Sequence, residues 1–279
     1  MKIVKTIAEL RSELAQIRKA GKTIGCVPTM GALHDGHMTL VQKSAAQNDA
    51  TVVTIFVNPL QFGKNEDLDS YPRRLDEDAA LCEQHGATLI FAPNPTAMYP
   101  SDPQTFVCNE SLENLYCGEF RPGHFRGVLT VVAKLFLAVQ PDHAYFGRKD
   151  YQQAFLIRKM VDDLNFPVQV VLIPTSREAS GLARSSRNEY LTRDERNAAA
   201  AIYAGLCAAQ EEYAEDERSV GVLRTIVNGA IEHAGGTIQY VHIVSQETLL
   251  PIQGDISGKA TILVAAFFGQ TRLIDNLEL

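Results

Sequence analysis

The N-terminal part of the chain alternates between short apolar runs and longer amphipathic runs. The apolar runs have strand length and predict β-strands at 23–27, 51–57, 88–91, 144–146 and 168–172. The runs between them have helical periodicity and predict helices at 38–48, 75–84, 128–139 and 151–164. This alternation is typical of a parallel sheet wrapped by helices, so we predict an α/β fold with a Rossmann-like, doubly wound parallel sheet.

After Pro174 the pattern changes, because Ser, Arg and Gly crowd positions 175–188. Thr192 and Glu195 form a capping box that predicts a helix start. A further helix is predicted at 220–233, followed by strands at 238–244, 261–268 and 272–277, the last two joined by a turn at Gly269-Gln270. We therefore predict two domains, residues 1–175 with the Rossmann-like fold and residues 176–279 as a smaller C-terminal α+β lid domain.

Composition excludes several classes of protein. The chain has 279 residues, 46% of them hydrophobic, and a formal net charge of −7, which argues against a nucleic-acid partner. It lacks an apolar signal core and any apolar run near the roughly 20 residues of a membrane helix, so we expect a cytoplasmic protein with no membrane partner. Five cysteines without CxxC spacing predict reduced, mostly buried thiols rather than disulfides or a metal knuckle.

The segment PTMGALHDGH, residues 28–37, lies where the first buried strand should become a helix. Pro28 has no N–H, so we expect the strand to end before it. Gly31 and Gly36 let a ligand approach the backbone, and a helix N-terminus favours a nearby anion by about 0.3–1 kcal/mol. His34 and His37 are three residues apart and can donate to the same ligand, so the segment indicates a site for ATP phosphates.

Two other interpretations of these histidines exist. They could only cap or pack the helix start, which is the more common situation for a lone histidine. A pair bracketed by glycines after a strand favours a ligand. A zinc site would need a third ligand, and no nearby cysteine or carboxylate cluster supplies one.

Polar residues also follow two other predicted strands, Asn58 and Gln61 after 51–57 and the run 147–150 after 144–146. Ligands of open parallel sheets bind beyond the carboxyl ends of the strands, so we expect three strand ends to converge on one pocket. Lys149 would meet phosphate oxygens as a point charge. Asp150 is equally consistent with a helix N-cap and with a ligand for a ribose hydroxyl.

Two more segments are candidates for function. Residues 184–188 combine hydroxyl and guanidinium groups and are consistent either with a lid over a triphosphate or with a solvated linker. Residues 118–127 combine glycine, aromatic and basic residues. Their composition fits a substrate wall or a subunit contact and does not decide between them.

These motifs together resemble a known family. HDGH resembles the HIGH-type signature of the adenylate-forming nucleotidyltransferases, and SSRN occupies the place of their KMSKS-like signature. The chain is similar to the pantothenate synthetase family, the pantoate–β-alanine ligases, over essentially its whole length through the motifs PTMGALHDGH, FVNPLQF, RPGHFRGV, GRKDYQQ and GLARSSRNEYL.

The resemblance implies an ATP-dependent ligation with Mg²⁺ accompanying the nucleotide. Pantoate and ATP would give pantoyl adenylate and pyrophosphate, and β-alanine would then displace AMP to give pantothenate. It also implies a homodimer.

The resemblance further implies the site residues. His37 would be catalytic, together with His34, Lys149 and Arg187. Gln61 and Gln153 would hold pantoate with help from Asn58, and no residue is assigned as a metal ligand. The ATP-contacting set would be Met30, Gly31, Ala32, Leu33, His34, Asp35, Gly36, His37, Gly147, Arg148, Lys149, Asp150, Ser176, Arg184, Ser185, Ser186 and Arg187.

Three positions depart from the family pattern. Ser176 replaces an aliphatic residue beside the adenine, which is harmless if the backbone makes that contact. Ser180 replaces a frequent Asp. Arg148 replaces a frequent acidic residue and is expected to add positive charge that tightens ATP binding.

Other functions are weighed against ligation. A nucleotidyltransferase would keep AMP on its product, whereas the second small domain and the amide-bearing pocket favour ligation. A tRNA-charging enzyme shares the signatures, but the acidic charge and the missing anticodon-binding region oppose it. A nucleotide sensor without turnover is opposed by the intact set His34, His37, Lys149 and Arg187.

Overall fold

A computed structural model of the chain describes residues 1–63, 66, 68–99 and 103–279. Contacts between residues divide the chain into two compact units. The first unit contains residues 1–147 and 153–173, and the second contains 148–152 and 174–279. The division into domains 1–175 and 176–279 stays a prediction.

The first unit is built on one sheet of parallel strands. The strands are β1 Lys2–Val4, β2 Ile24–Thr29, β3 Ala50–Ile55, β4 Leu89–Phe91, β5 His143–Gly147 and β6 Gln169–Ile173. Their order across the sheet is β1-β4-β3-β2-β5-β6, so the direction of winding reverses between β2 and β5. This confirms the predicted doubly wound α/β fold and makes β3, β2 and β5 neighbours.

Seven helices connect these strands or lie between them in sequence. They are α1 Ile7–Lys19, α2 Asp35–Gln47, α3 Leu75–Gln84, α4 Pro95–Met98, α5 Cys117–Phe120, α6 His124–Val139 and α7 Tyr151–Asp163, counted among the described residues. An apolar cluster joins the sheet to α2 and α3 through buried side chains that include Val27, Met38, Val41, Val53 and Ile90. Burial of such side chains is the main force that holds the helices on the sheet.

Several element boundaries differ from the sequence prediction. Helix α2 begins at Asp35 rather than at residue 38, because His34 caps it. Helix α6 begins at His124 rather than at residue 128, after Gly123 in a left-handed conformation with φ of 81°. Helix α1 was not predicted, although Thr6 and Glu9 form a capping box that signals it.

The prediction that Pro28 ends the first strand is wrong. Strand β2 continues through Pro28 to Thr29, and Pro28 is in register with Thr54 of β3. Thr29 directs its carbonyl towards β3, where it accepts from the Phe56 N–H, so the neighbouring Pro28 faces the opposite edge. Pairing of β2 with β5 extends only to Cys26, so the absent N–H of Pro28 leaves no ladder bond unmade.

The second unit contains helices and an antiparallel sheet. The helices are α8 Arg193–Ala199, α9 Ala201–Ala214 and α10 Val220–His233, and the strands are β7 Thr237–Ser245, β8 Ala260–Phe268 and β9 Thr271–Glu278. The strands pair in the order β7-β8-β9. The hairpin at Gly269-Gln270 is confirmed, with Phe268 opposite Thr271 and Gly269 at φ of 56°. Helix α9 was not separately predicted.

The cysteines form no disulfide in the part of the chain that the structure describes, which includes all five. Cys26, Cys82 and Cys117 are buried, which confirms the expectation of mostly buried thiols. Burial raises the pKa of Cys26 to about 12, so this thiol does not ionise at neutral pH.

No helix among the described residues is both long enough and apolar enough to cross a membrane.

Thr192 should stabilise the second unit through its cap. Its side chain accepts from the Glu195 N–H, while Glu195 accepts from the Thr192 N–H. We predict that Thr192→Ala lowers the free energy of unfolding by about 0.5–2 kcal/mol, measured by urea titration. The control is Thr225→Ala inside α10, where no cap is lost and the change should stay within about 0.5 kcal/mol. Equal losses in the two variants would contradict the assigned cap.

Candidate functional site

The loop between β2 and α2 is held by a buried carboxylate that sequence reasoning missed. Asp78 on α3 is 2% exposed, and its oxygens accept from the N–H groups of Ala32 at 3.0 Å and Leu33 at 2.8 Å. Burial raises the pKa of Asp78, against the lowering effect of these two donors. Asp78 looked like an ordinary acidic residue in a first helical turn, and nothing in the sequence showed that it faces the loop.

Gly31 is required in this loop for two reasons. Its φ of 86° lies in the left-handed region that favours glycine. A Cβ atom there would also lie 3.0 Å from an oxygen of Asp78 and 3.1 Å from Cγ2 of Ile55. The loop therefore lies so close to β3 and α3 that a Cβ atom would require Asp78 and Ile55 to shift by a few tenths of an ångström.

His34 and His37 form a capping box made of two imidazoles. His34 is the N-cap of α2, and its Nδ1 accepts from the Gly36 N–H at 3.1 Å. The Nδ1 of His37 accepts from the His34 N–H at 3.3 Å, and the two ring centroids are 4.1 Å apart. The capping interpretation is therefore correct for the Nδ1 edge of both rings. Because an accepting Nδ1 carries no proton, each neutral ring carries its proton on Nε2 and is a donor at that edge.

Asn58 has its whole amide engaged by the protein. It is 1% exposed, and its Nδ2 donates to Oε1 of Gln61 at 3.1 Å and to the Gly127 carbonyl at 3.0 Å. Its Oδ1 accepts from the Tyr99 hydroxyl at 2.9 Å and the Leu60 N–H at 3.3 Å. Both amide hydrogens and the amide oxygen are thus used, which makes Asn58 a positioning residue for Gln61.

The carboxamide of Gln61 consequently has a fixed orientation. Its Oε1 faces Asn58, and its Nε2 donates to Sδ of Met30 at 2.9 Å, so the structure brings Gln61 to the loop after β2. Burial raises the pKa of Tyr99 to about 12, so its phenol stays protonated and continues to donate to Asn58. Gln61 can therefore offer a ligand its second N–H donor rather than its oxygen.

A second set of contacts supports the backbone of Gln61. The Nδ1 of His124 donates to the Gln61 carbonyl at 2.8 Å, and the Nε2 of His124 accepts from Arg121 at 3.1 Å. Arg121 in turn forms two hydrogen bonds with Glu66, at 2.7 and 2.6 Å. The RPGH segment, for which composition left two roles open, thus stabilises the turn that carries Gln61.

Gly127 allows helix α6 to pack against the same turn. A Cβ atom at this position would lie 2.3 Å from the Leu60 carbonyl oxygen and 2.6 Å from the Gln61 nitrogen. These are backbone atoms that cannot rotate away. The glycine therefore sets the distance between α6 and the turn Pro59–Gln61.

In the second unit, Lys149 lies in a 3₁₀ turn, Arg148–Asp150. Asn276 of β9 donates to the carbonyls of Arg148 at 2.9 Å and Lys149 at 2.8 Å. The guanidinium of Arg148 pairs with Glu278 at 2.9 Å. A carboxylate of the same unit therefore offsets part of the charge of Arg148, and its expected effect on ATP affinity stays a prediction.

The segment from Ser176 to Arg187 is ordered by hydrogen bonds within the second unit. Arg184 donates its N–H to the Ser176 carbonyl at 2.9 Å, and Ser185 caps a short 3₁₀ helix, Ser186–Tyr190, by accepting from the Arg187 N–H at 3.2 Å. Asn188 is 4% exposed and donates to the Ala183 carbonyl at 3.1 Å. These contacts argue against the alternative of a solvated linker.

The predicted site residues therefore fall into two groups, each described within its own unit. The first unit contains Asn58, Gln61, Gly147 and the half-buried Gln153 together with the loop residues 30–37. The second contains Ser176 together with the runs 148–150 and 184–187. Among the residues that the structure describes, no group of three or more His, Cys, Asp or Glu side chains is arranged to hold a metal ion.

Comparison with known proteins matches the whole chain to one family. The family model described as pantoate-beta-alanine ligase matches residues 2–278. Pantothenate synthetase 1 of Bradyrhizobium diazoefficiens is 50% identical over 279 residues, which cover 100% of this chain and 98% of that protein. Pantothenate synthetase of Moorella thermoacetica is 47% identical over 280 residues, covering 100% and 99% of the two chains.

Solved structures agree with this match. The crystal structure of pantothenate synthetase from Thermus thermophilus superposes with a TM-score of 0.93 at 46% identity, covering 99% of each chain. Pantoate-beta-alanine ligase from Francisella tularensis, crystallised in complex with beta-gamma ATP and beta-alanine, gives a TM-score of 0.82 at 34% identity, covering 99% of this chain and 97% of that one.

Gly127 provides a test of the packing behind this site. We predict that Gly127→Ala destabilises the protein by about 1–3 kcal/mol, because the new methyl group collides with backbone of the Leu60–Gln61 turn. The matched control is Gly229→Ala in α10, where a Cβ meets nothing within 4 Å. That change should stabilise by up to about 1 kcal/mol through helix propensity. Thermal unfolding of both variants checks the pair, and a higher melting temperature for Gly127→Ala would refute the close contact.

Proposed function

The chain belongs to the pantoate–β-alanine ligase family, and on that premise we propose that it condenses (R)-pantoate with β-alanine through a pantoyl adenylate. In the first step a pantoate carboxylate oxygen bonds to the α-phosphorus of ATP, and the bond from that phosphorus to pyrophosphate breaks. In the second step the β-alanine amine bonds to the acyl carbon and AMP leaves, while the nitrogen gives up a proton. Free AMP and pyrophosphate are the by-products of pantothenate formation.

The observation that carries the proposal is the imidazole capping box of His34 and His37. Their Nδ1 atoms accept hydrogen bonds from backbone N–H groups at the start of α2. The proton of each neutral ring is therefore on Nε2. Two such donors beside a helix N-terminus suit the nonbridging oxygens that gain negative charge as the α-phosphorus is attacked. His37 is the principal catalytic residue in this proposal, and His34 is its partner.

Cations from the second unit complete the proposed nucleotide site. Lys149 and Arg187 would balance charge that passes to the leaving pyrophosphate, and Gly147, Asp150, Ser176, Ser185 and Ser186 would contact ATP. We propose that residues 176–279 act as a lid over a domain formed by residues 1–175. A closed lid excludes water, which protects the acyl adenylate from hydrolysis.

Gln61 is the proposed ligand for pantoate, together with Gln153. The contact with Asn58 directs the amide nitrogen of Gln61 away from that residue, towards the loop that contains Met30. An N–H donor in this orientation suits the carboxylate or hydroxyl oxygens of pantoate. In this proposal Asn58 positions Gln61 and does not itself bind pantoate.

Magnesium enters this proposal as part of the nucleotide substrate. Mg²⁺ prefers oxygen ligands and is usually bound through substrate phosphates and water, with few protein carboxylates. No protein residue is assigned to it. Homodimeric assembly remains a prediction from the family resemblance, and sedimentation of the purified chain tests it. A cytoplasmic location remains a prediction from the sequence.

A pair of substitutions separates the chemistry of the histidines from their capping role. Asp is a strong N-cap and Glu is a favoured N3 residue of capping boxes, so His34→Asp and His37→Glu should preserve the start of α2. Both variants replace the Nε2–H donor by a carboxylate, which can only accept hydrogen bonds. We predict that each lowers the rate of pantoate-dependent ATP–pyrophosphate exchange about 100- to 1000-fold while the melting temperature stays within a few degrees of the parent. Near-parental exchange in both would overturn their proposed role.

The positioning of Gln61 is tested through Tyr99. We predict that Tyr99→Phe raises the KM for pantoate roughly tenfold and leaves the KM for ATP unchanged, because Oδ1 of Asn58 loses a buried donor. Gln61→Ala should have a larger effect in the same direction. The matched control is Tyr213→Phe on α9, which removes a hydroxyl from the second unit. Equal increases in both KM values would exclude the orientation role.

A further inference from the structure

Strand β9 buries two consecutive polar residues, Asp275 and Asn276, which are 5% and 6% exposed. The preceding residues of the strand alternate between buried and half-buried positions, and the alternation stops at this pair. Burying polar groups is unfavourable unless each finds hydrogen-bond partners. The partners of these two side chains lie in the two segments that contain the cations proposed to bind ATP.

Asn276 holds the turn of Lys149. Its Nδ2 carries two hydrogens and donates to two consecutive carbonyls, those of Arg148 at 2.9 Å and Lys149 at 2.8 Å. Two bonds from one planar amide group fix the direction of that turn more tightly than a single bond would. The direction in which the Lys149 side chain extends from the backbone depends on the conformation of this turn.

Asp275 holds the segment that precedes Arg187. Its two oxygens accept from Arg177 at 2.5 and 3.0 Å, and the guanidinium of Arg177 lies 3.6 Å from the ring centre of Tyr203. The carbonyl of Arg177 accepts from Nε of Arg184 at 3.3 Å. Oδ1 of Asp275 also accepts from the Asn276 N–H at 2.8 Å, so the two anchors are joined.

We propose that Asp275 and Asn276 are positioning residues that fix the Lys149 turn and the segment 176–187 relative to each other. They thereby set one fixed distance between Lys149 and Arg187 within the second unit. That distance suits two oxygens of the same triphosphate. The proposal rests on the function proposed above, in which both cations meet ATP. A misplacement of about 1 Å can lower a rate 100-fold, so residues that touch no substrate can control catalysis in this way.

Stability alone gives a weaker explanation of the pair. Buried ion pairs are often no more stabilising than apolar residues of similar size. A strand that needed only to pack could therefore carry an apolar side chain in place of Asp275. The bonds of Asn276 go to carbonyls at and beside Lys149 rather than to its own sheet.

The test uses variants of Asn276 in the full chain. Asn276→Asp has nearly the same shape but no N–H donor, and it places a carboxylate against two carbonyl oxygens. Asn276→Ser retains one donor and serves as the working variant if the aspartate does not fold. Asn197→Asp makes the same amide-to-carboxylate change at an exposed site on α8 and controls for added charge in the second unit.

The deciding measurement is a double-mutant cycle with Lys149→Ala, read as affinity for ATP by calorimetry, which does not require turnover. If Asn276 acts through Lys149, each single variant weakens ATP binding about tenfold and the double variant is no weaker than Lys149→Ala alone. Asn276→Asp should also reduce pantoate-dependent exchange about 100-fold and leave the KM for pantoate unchanged. Asn197→Asp should change none of these quantities.

The outcomes distinguish the two proposals. Unchanged ATP affinity in Lys149→Ala would remove Lys149 from the nucleotide site, and the proposed function would fail at that residue. A strong effect of Lys149→Ala combined with additive losses in the double variant would show that Asn276 acts independently of Lys149, and the positioning role would be overturned. The positioning role would also be overturned if Asn276→Ser lowered the thermal stability of the protein but left its ATP affinity unchanged.

Discussion

The reciprocal hydrogen bonds between His34, His37 and the backbone at the start of α2 are the contacts on which the proposed chemistry depends. They use the Nδ1 atom of each ring to satisfy N–H groups that any helix N-terminus leaves unpaired. That use determines the tautomer of each neutral imidazole, and the tautomer determines which edge can donate. A structural requirement of the helix and a chemical requirement of phosphate recognition are thus met by the same two side chains.

The same principle recurs in the residues that support the site. Asp78, Asn58 and Asn276 are nearly fully buried, and they hold main-chain groups of the segments that contain the candidate ligands. A buried polar group is unfavourable unless it is hydrogen-bonded, so each of these side chains holds its backbone partners in one conformation. Pre-organised donors need little rearrangement when charge develops on the substrate, which is how such rigidity contributes to catalysis.

The sequence predicted the regular parts of this molecule well, since apolar periodicity and caps are local signals. Helices α3 and α10 have the predicted bounds, and the Thr192 cap is confirmed. The prediction for Pro28 was wrong because a strand tolerates proline where the neighbouring strand has stopped pairing, and the sequence does not show where that is. Asp78 and Asn276 could not be found, since a polar residue in a helix or strand shows nothing of the tertiary contact it makes. The candidate ligands were predicted because glycine, histidine and lysine cluster at strand ends, and their meeting in one site stays a prediction.

The most direct test of the central claim is the tautomeric state of the two rings, measured by ¹⁵N NMR of the histidine-labelled protein at a pH where both are neutral. We predict that His34 and His37 both carry the proton on Nε2, and that added pyrophosphate shifts these Nε2–H resonances. A proton on Nδ1 of either ring would contradict it, because that ring could not accept the helix N–H bond and present a donor at its other edge.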